Sequence, residues 1–263
     1  MKLATWNINS VRLRAELVKN VLLNNKIDVL CLQEIKAEDE FFPAEFFKNI
    51  GYSHLAFSGE KSYNGVAIIS NQPLLNIQKL ELYNSNKRHI SAIINHNNKN
   101  FELHNFYIPA GGDEPDVNIN PKFLHKLEYT DLVADWFRKN RKKSDDIILV
   151  GDLNIAPYEH DVWSHKQLLK VVSHTPIEVE KLLNLKASID FLDVARKFVP
   201  ENEKLYSWWS YRNRDWQKSN RGRRLDHIWA AGEIKNSITN FEILKDARNF
   251  TQPSDHVPVI IEL

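Results

Sequence analysis

Two short motifs place paired amides and carboxylates directly after apolar runs: Asn7 and Asn9 after LATW, and Asp152 and Asn154 after IILVG. Similar positions hold Glu34 after IDVLCLQ, Tyr107 after ELHNF, Asp226 in RRLDHIW, and Asp255-His256 ahead of VPVIIEL. Taken singly, each is an ordinary turn or capping residue. Their recurrence shifts the balance, because carboxylates and amides beside an apolar core are costly unless something pairs with them. Oxygen donors of this kind suit Mg²⁺, Mn²⁺ or Ca²⁺. Zinc is disfavoured: the only cysteine is Cys31 and no HExxH occurs. His160 and His165, in EHDVWSH, lack a diagnostic spacing and read as structural. Neither GxxxxGK[ST] nor GxGxxG is present, so a P-loop or dinucleotide fold has no support.

A second signal is basic and aromatic. Residues 206–224 read YSWWSYRNRDWQKSNRGRR, with six Arg or Lys between 212 and 224 and only Asp215 opposing them. Cations for phosphates and flat faces for bases or sugars are the parts of a nucleic-acid surface. Three tryptophans in an exposed loop favour stacking on a ligand over a structural aromatic cluster, which stays open as the alternative.

The elements that must carry these residues follow from periodicity. A strand over LATWNI leads to a helix with Val11, Ala15, Val18 and Leu22 at helical spacing and Ser10 as N-cap. IDVLCL is a short continuous apolar run, as expected of a strand covered on both faces. Next come a short helix begun near Pro43 and strands over GVAIIS, RHISAIIN and FELHNFYI. PAGGDEPD (109–116) is a loop. An amphipathic helix over 121–139 offers Phe123, Leu127, Leu132, Trp136 and Phe137 to the core. DIILVGDLNI is a strand, helices follow near 176–186 and 189–197, and late strands cover LDHIWA, ITNFEIL and HVPVIIEL. Pro258 argues for the edge or first residues of the last strand. LATWNIN and ILVGDLNI echo one another, as two halves of similar build would.

The totals fit one large α/β chain: 263 residues, 43% hydrophobic, 26% charged, net charge +1. A lone cysteine excludes an internal disulfide and points to a reducing compartment, with Cys31 itself a small core residue. No run approaches the length needed to span a bilayer, and the first residues carry no secretory signal.

The ordered set WNIN (6–9), LQE (32–34), FYIPAGG (106–112), GDLN (151–154), SWWSYR (207–212), NRGRRLDH (220–227) and PSDHVPV (253–259) resembles the exonuclease III family. That family is the bacterial branch of the AP endonucleases in the endonuclease/exonuclease/phosphatase superfamily. The resemblance covers the whole chain, with every motif in family order. It implies one domain over 1–263, a four-layer α/β sandwich with two mixed β-sheets packed face to face and helices outside.

It also implies roles. Glu34 is the principal Mg²⁺ ligand, with Asn7 and Asp255 beside it and Asp152, Asn154 and His256 completing the metal-facing set; Mn²⁺ is a plausible substitute. Asp152 activates the attacking water, Asn154 holds it or the transition state, Asp226 orients His256 as a cation, and Tyr107 donates to the phosphate or assists the leaving group. Asn9, Arg88, Trp208, Arg221, Arg223 and Leu225 are the DNA-contacting set, with Trp208 and Leu225 walling a pocket for a flipped-out abasic sugar. The implied protein is a cytoplasmic monomer acting on double-stranded and abasic-site DNA, with no membrane partner. Its implied activities are 3′→5′ exodeoxyribonuclease, incision 5′ to abasic sites, and 3′-end-cleaning phosphodiesterase or phosphatase.

Two positions depart from the family. Arg223 stands where some members carry an apolar pocket residue, and Ala110 follows IP where others have a DNA-contacting Gln or Asn. Both bear on the balance between incision and exonuclease action. Two rival readings remain: another phosphoesterase of the superfamily, such as a sphingomyelinase, inositol phosphatase or DNase I-like nuclease, and a non-catalytic nucleic-acid-binding regulator. The lone cysteine weighs against secreted enzymes and the Trp/Arg stretch against lipid substrates. A regulator would be expected to lose catalytic groups, and none is missing.

Overall fold

The computed structural model describes residues 1–83, 87–213 and 215–263. Arg214, counted above in the basic stretch, lies outside them. β1 (Lys2–Asn7) leads through α1 (Val11–Asn24) to β2 (Val29–Gln33), then to α2 (Ala44–Asn49), β3 (His54–Ser58) and β4 (Val66–Ser70). β5 (Leu75–Gln78), β6 (His89–His96) and β7 (Lys99–Tyr107) precede α3 (Pro121–Asn140) and β8 (Ile147–Asp152). Next come α4 (His165–Leu168), α5 (Pro176–Ala187), β9 (Leu192–Asp193) and α6 (Val194–Phe198). The last part holds β10 (Trp208–Trp209), α7 (Trp216–Ser219), β11 (Gly222–Arg223), β12 (Asp226–Ala231), β13 (Asn240–Ile243) and β14 (Val259–Glu262).

Two six-stranded sheets have the orders β13-β14-β1-β2-β4-β3 and β5-β6-β7-β8-β12-β9. Each contains one parallel pair, β1 with β2 and β7 with β8, among antiparallel neighbours. Alternation sorts the side chains into layers. Leu3, Val29, Cys31 and Ile68 from one sheet meet Leu103, Ile148, Val150 and Ile228 from the other. The outward-facing Ala4, Trp6, Leu30 and Leu32 pack on Val18, Val21 and Leu22 of α1. Phe106, Ile147 and Leu149 pack on Val133 and Phe137 of α3 and Leu182 of α5. Helix, sheet, sheet and helix form the four layers that the resemblance implied.

The echo between LATWNIN and ILVGDLNI does not mark equivalent strands. By connectivity, β1–α1–β2 corresponds to β7–α3–β8, so the counterpart of β1 is β7. LATWNIN and ILVGDLNI look alike because both are buried strands ending at the same mouth.

Other expectations need local correction. Ser10 sits at the N-cap position of α1, but its side chain makes no capping hydrogen bond and its φ is 87°. Ala15 is half-buried, Leu132 is exposed, and Trp136 is half-buried at the margin of the core under α3. The helix expected over 189–197 is shortened, because Leu192 and Asp193 instead pair with Ala230 and Trp229 at the edge of the second sheet. Trp209 and Trp216 are buried against Tyr206 and Val257 in a small core of their own, so only Trp208 of the three is partly open. Pro258 immediately precedes β14, which is an interior strand.

Candidate active site

The strand exits converge on one mouth between the sheets. The register sets Asp152 opposite Tyr107 on one side and Asp226 on the other. Asn7 ends β1, opposite Gln33, and Glu34 follows. Asn7 is fully buried and bridges the sheets: its Nδ2 donates to Glu34 Oε1 at 3.0 Å and to Asp152 Oδ2 at 2.8 Å. Tyr107 donates its hydroxyl to the same Glu34 oxygen at 2.7 Å. Lys36 Nζ lies 2.7 Å from Glu34 Oε2.

His256 is held from several directions. Its Nδ1 is 2.8 Å from Asp226 Oδ2, and its Nε2 is 3.7 Å from Asp152 Oδ2. Trp6 Nε1 donates to its carbonyl, and its own N–H donates to Ser254 Oγ. Asp226 is fixed through its N–H to Ser207 Oγ. Asn154 has left-handed backbone (φ 54°), which turns its N–H back to Asp152 Oδ1 at 2.9 Å. Its amide donates to the Ile108 carbonyl.

These contacts set the charges. Burial lowers the His256 pKa, but Asp226 and Asp152 outweigh it and push it up to about 10, so the ring is a cation at neutral pH. Burial raises Asp152 to about 7; His256 and Asn7 oppose the rise, while Asp226 adds to it. Burial also raises Glu34, yet Lys36 and the hydrogen bonds from Asn7, Lys36 and Tyr107 prevail and hold it below the usual carboxylate value. Burial, with Glu34 and Asp152 beside it, drives the Tyr107 phenol well above its ordinary value, so it stays a proton donor.

A cleft of about 510 Å³ opens beside this cluster, with Glu34, Asn154, Trp208, Arg223, Leu225 and His256 on its walls. Trp208 donates its indole N–H to Asp255 Oδ2 at 2.9 Å, and Asp255 Oδ1 accepts from Asn9 Nδ2. Asp255 thus faces the Trp208 wall and makes no hydrogen bond to Glu34 or Asn7 among the described residues. Arg223 reaches the Val172 carbonyl and Ser173 Oγ, with its guanidinium 5.3 Å from the Trp208 ring centre. Arg221 is exposed and stacks on Trp163 at 4.7 Å, away from the cluster. Arg88 is buried: it donates to the Tyr107 carbonyl and stacks on that ring at 4.8 Å.

Two further residues belong to the site's frame and were not singled out from the sequence. Lys126 Nζ, fully buried, donates to the Asn154 carbonyl, the Ala110 carbonyl and Glu178 Oε1. Glu178 also closes a capping box with Thr175. The T-x-x-E spacing of that box is a readable signal. Nothing in the sequence marks Lys126 out from the other polar residues of α3.

One ligand atom from each of Asp152, Asp226 and His256 lies within 4.8 Å of the others, an arrangement that would hold a metal ion only with the His256 ring deprotonated. The donor chemistry also fits a hard divalent cation at Glu34 and Asp152, carboxylates linked through Asn7, where Lys36 already sets a positive charge on a Glu34 oxygen.

A four-layer sandwich with carboxylates, an imidazolium and amides gathered at one mouth is the build of a phosphoesterase. The chain belongs to the Endonuclease/Exonuclease/phosphatase family, which matches residues 4–256. It is 29% identical to exodeoxyribonuclease III of Haemophilus influenzae, over 100% of this chain and 99% of that one. An AP endonuclease from Archaeoglobus fulgidus has a TM-score of 0.91 at 30% identity, covering 100% of this chain and 99% of its own. The 3′ phosphatase NExo from Neisseria, bound to product DNA hairpin, gives 0.89 at 28%, with coverage of 100% and 99%. Among the described residues, no helix is long and apolar enough to cross a membrane.

Proposed function

We propose that this protein is a divalent-metal-dependent DNA repair nuclease that hydrolyses phosphate esters at 3′ ends and beside abasic sites in duplex DNA. The observation that carries the reading is the linked set Asn7, Glu34, Asp152, Asp226 and His256, which reaches a cleft walled by Trp208 and Arg223 through Glu34 and His256. Those side chains meet from both sheets, and the cleft beside them offers both an aromatic face and a cation.

A phosphodiester is anionic and repels hydroxide, so the site must neutralise charge, aim water and ease departure of an alkoxide. Asp152 is the base for water: with a pKa of about 7 it can accept a proton near neutrality. The His256 imidazolium faces the developing negative charge, and Asp226 keeps it protonated and oriented. The second amide N–H of Asn154, and the Tyr107 hydroxyl once it swings from Glu34, are donors toward phosphoryl or leaving oxygens. Glu34 and Asn7 would hold Mg²⁺, or Mn²⁺ in its place, with Asp255 nearby; when bound, the ion supplies Lewis-acid polarisation of a phosphoryl oxygen. The Trp208 face and Leu225 receive the sugar, and Arg223 and Arg221 take phosphates. The protein works as a single folded unit over 1–263 and as a monomer, in a reducing cytoplasm.

Incubation with two duplexes, one with a single abasic site and one with a 3′-phosphate terminus, tests this in Mg²⁺ and in EDTA. Cleavage in Mg²⁺ alone is expected. No reaction on either substrate in any condition overturns the reading in favour of a binding protein.

A further inference from the structure

Arg14 lies on α1, outside every motif discussed so far. Its side chain is 7% exposed, and all five of its N–H groups are spent. Nε donates to the Gln252 carbonyl at 2.8 Å. Nη1 donates to the Ile8 carbonyl at 3.3 Å and to the Asn9 carbonyl. Nη2 donates to the Pro253 carbonyl and to the Tyr211 hydroxyl, each at 3.1 Å. Four of the five acceptors are main-chain oxygens, and they belong to two loops that approach from opposite ends of the chain.

Those loops carry the site. Ile8 and Asn9 follow Asn7, while Gln252 and Pro253 precede Ser254, Asp255 and His256. The backbone is left-handed at Asn9 (φ 48°), Ser10 (φ 87°) and Gln252 (φ 53°), on both sides of the guanidinium. Side chains with a Cβ adopt that region at a cost, so something must hold them there. The helix itself bends to supply the group: Arg14 has φ −122° and ψ 20° inside α1. The seam continues from there. Ser254 Oγ donates to the Asn7 carbonyl at 2.7 Å and accepts the His256 N–H. Tyr211, in the basic-aromatic stretch, donates to the Pro253 carbonyl at 2.7 Å.

Resting on the function proposed above, we infer that Arg14 is a positioning residue for hydrolysis: its guanidinium sets the spacing between the loop bearing Asn7 and Asn9 and the loop bearing Asp255 and His256. It touches no substrate. A planar fork with five donors can satisfy all five of these acceptors at once, and a lysine ammonium, with three donors, leaves at least two of them unpaired. Through Tyr211 the same guanidinium also ties the DNA-facing stretch to the catalytic loop.

The test uses the full chain and Arg14→Lys and Arg14→Ala, on a 3′-phosphate duplex in Mg²⁺. Arg14→Lys should lower kcat by roughly ten- to a hundredfold, the scale of a small misplacement of reacting groups. The loss should fall mainly on kcat, with KM changed by no more than about threefold, because Arg14 itself touches no DNA. Its thermal midpoint should fall by no more than about 8 °C, the effect of losing about two net hydrogen bonds. In Arg14→Ala, millimolar methylguanidinium should restore part of kcat, and methylammonium should not. Wild-type kcat in Arg14→Lys, equal rescue by both cations, or an Arg14→Lys chain unfolded at assay temperature overturns the inference. An inactive wild type instead sinks the proposed function, so the two failures are distinguishable.

Discussion

His256 Nδ1 lies 2.8 Å from Asp226 Oδ2, joining the segment before the last strand of one sheet to the first residue of β12 in the other. Asp226 is the largest contributor raising the His256 pKa to about 10, against a burial effect that lowers it. A group with a raised folded pKa gives stability below its unfolded pKa, about 6.5 for His. That stability is lost as pH rises through about 10. Activity that needs the cation should therefore decline only at alkaline pH. In Asp226→Asn the decline should move to lower pH, and the double mutant with His256→Asn should lose little more than the worse single, since the pair acts as one unit. Single-turnover rates against pH decide it; superimposable profiles or additive losses would remove the pair from catalysis.

Asp152 shifts in the same direction, but there the raised value favours the neutral form. Its carboxyl is raised to about 7, chiefly by burial, so the folded chain holds a proton that the unfolded chain releases near pH 4. The Asp152 contribution to stability, read as wild type minus Asp152→Asn because buried His89, His104 and His227 act in the opposite sense, should then fall as pH rises from about 4 toward 7, while activity rises over the upper part of that window as the base ionises. Urea unfolding at several pH values, set beside the rate profile, should show the two trends crossing. A stability that climbs through this window in the wild type but not in Asp152→Asn would contradict the assignment.

Tyr107 is a donor, not a base. Its hydroxyl is bonded to Glu34 at 2.7 Å and its pKa is driven well above the ordinary value. Tyr107→Phe should lower the rate by roughly a hundred- to a thousandfold, the range of one lost transition-state donor. The pH profile should keep its shape. Loss of a limb in the mutant would make Tyr107 a titrating group.

Glu34→Ala should weaken metal binding, read directly by calorimetric titration with Mn²⁺. It should also lower turnover by about two orders of magnitude, partly recovered at high Mg²⁺. Unchanged Mn²⁺ affinity would place the ion elsewhere, with the Asp152, Asp226 and His256 set as the next choice.

The strand-end residues were readable because a polar group at the exit of a buried strand is conspicuous in one dimension. Asn7, Glu34, Asp152, Asp226 and His256 all came from that pattern and from the family motifs, and the sandwich followed with them. Arg14 and Lys126 were hidden. Each sits on a helix among other charged residues, where a solvated side chain is the default, and only the tertiary fold turns them inward. Trp209 and Trp216 erred the opposite way: basic neighbours suggested an exposed stacking surface, and the chain instead folds back to bury them against Tyr206 and Val257. Arg88, expected at a phosphate, is stacked beneath Tyr107, a placement set by β6 pairing with β7.

The Lys126–Glu178 pair, with both side chains fully buried and 2.5 Å apart, should show in stability. Lys126→Ala leaves a buried carboxylate uncompensated and should cost about 3–5 kcal/mol by urea unfolding. Lys126→Ala combined with Glu178→Gln should recover part of that loss. No recovery would mean that the carbonyl bonds to Ala110 and Asn154 carry the effect.

The most direct test of the whole account is one duplex ending in a 3′-phosphate, incubated with the wild type and with Asp152→Asn in Mg²⁺ and in EDTA. Wild type in Mg²⁺ should release inorganic phosphate, EDTA should abolish release, and Asp152→Asn should bind the duplex with near-normal affinity while turning over at least about a hundredfold more slowly, as expected on losing a general base. Undiminished release by Asp152→Asn, or release that persists in EDTA, would contradict the account.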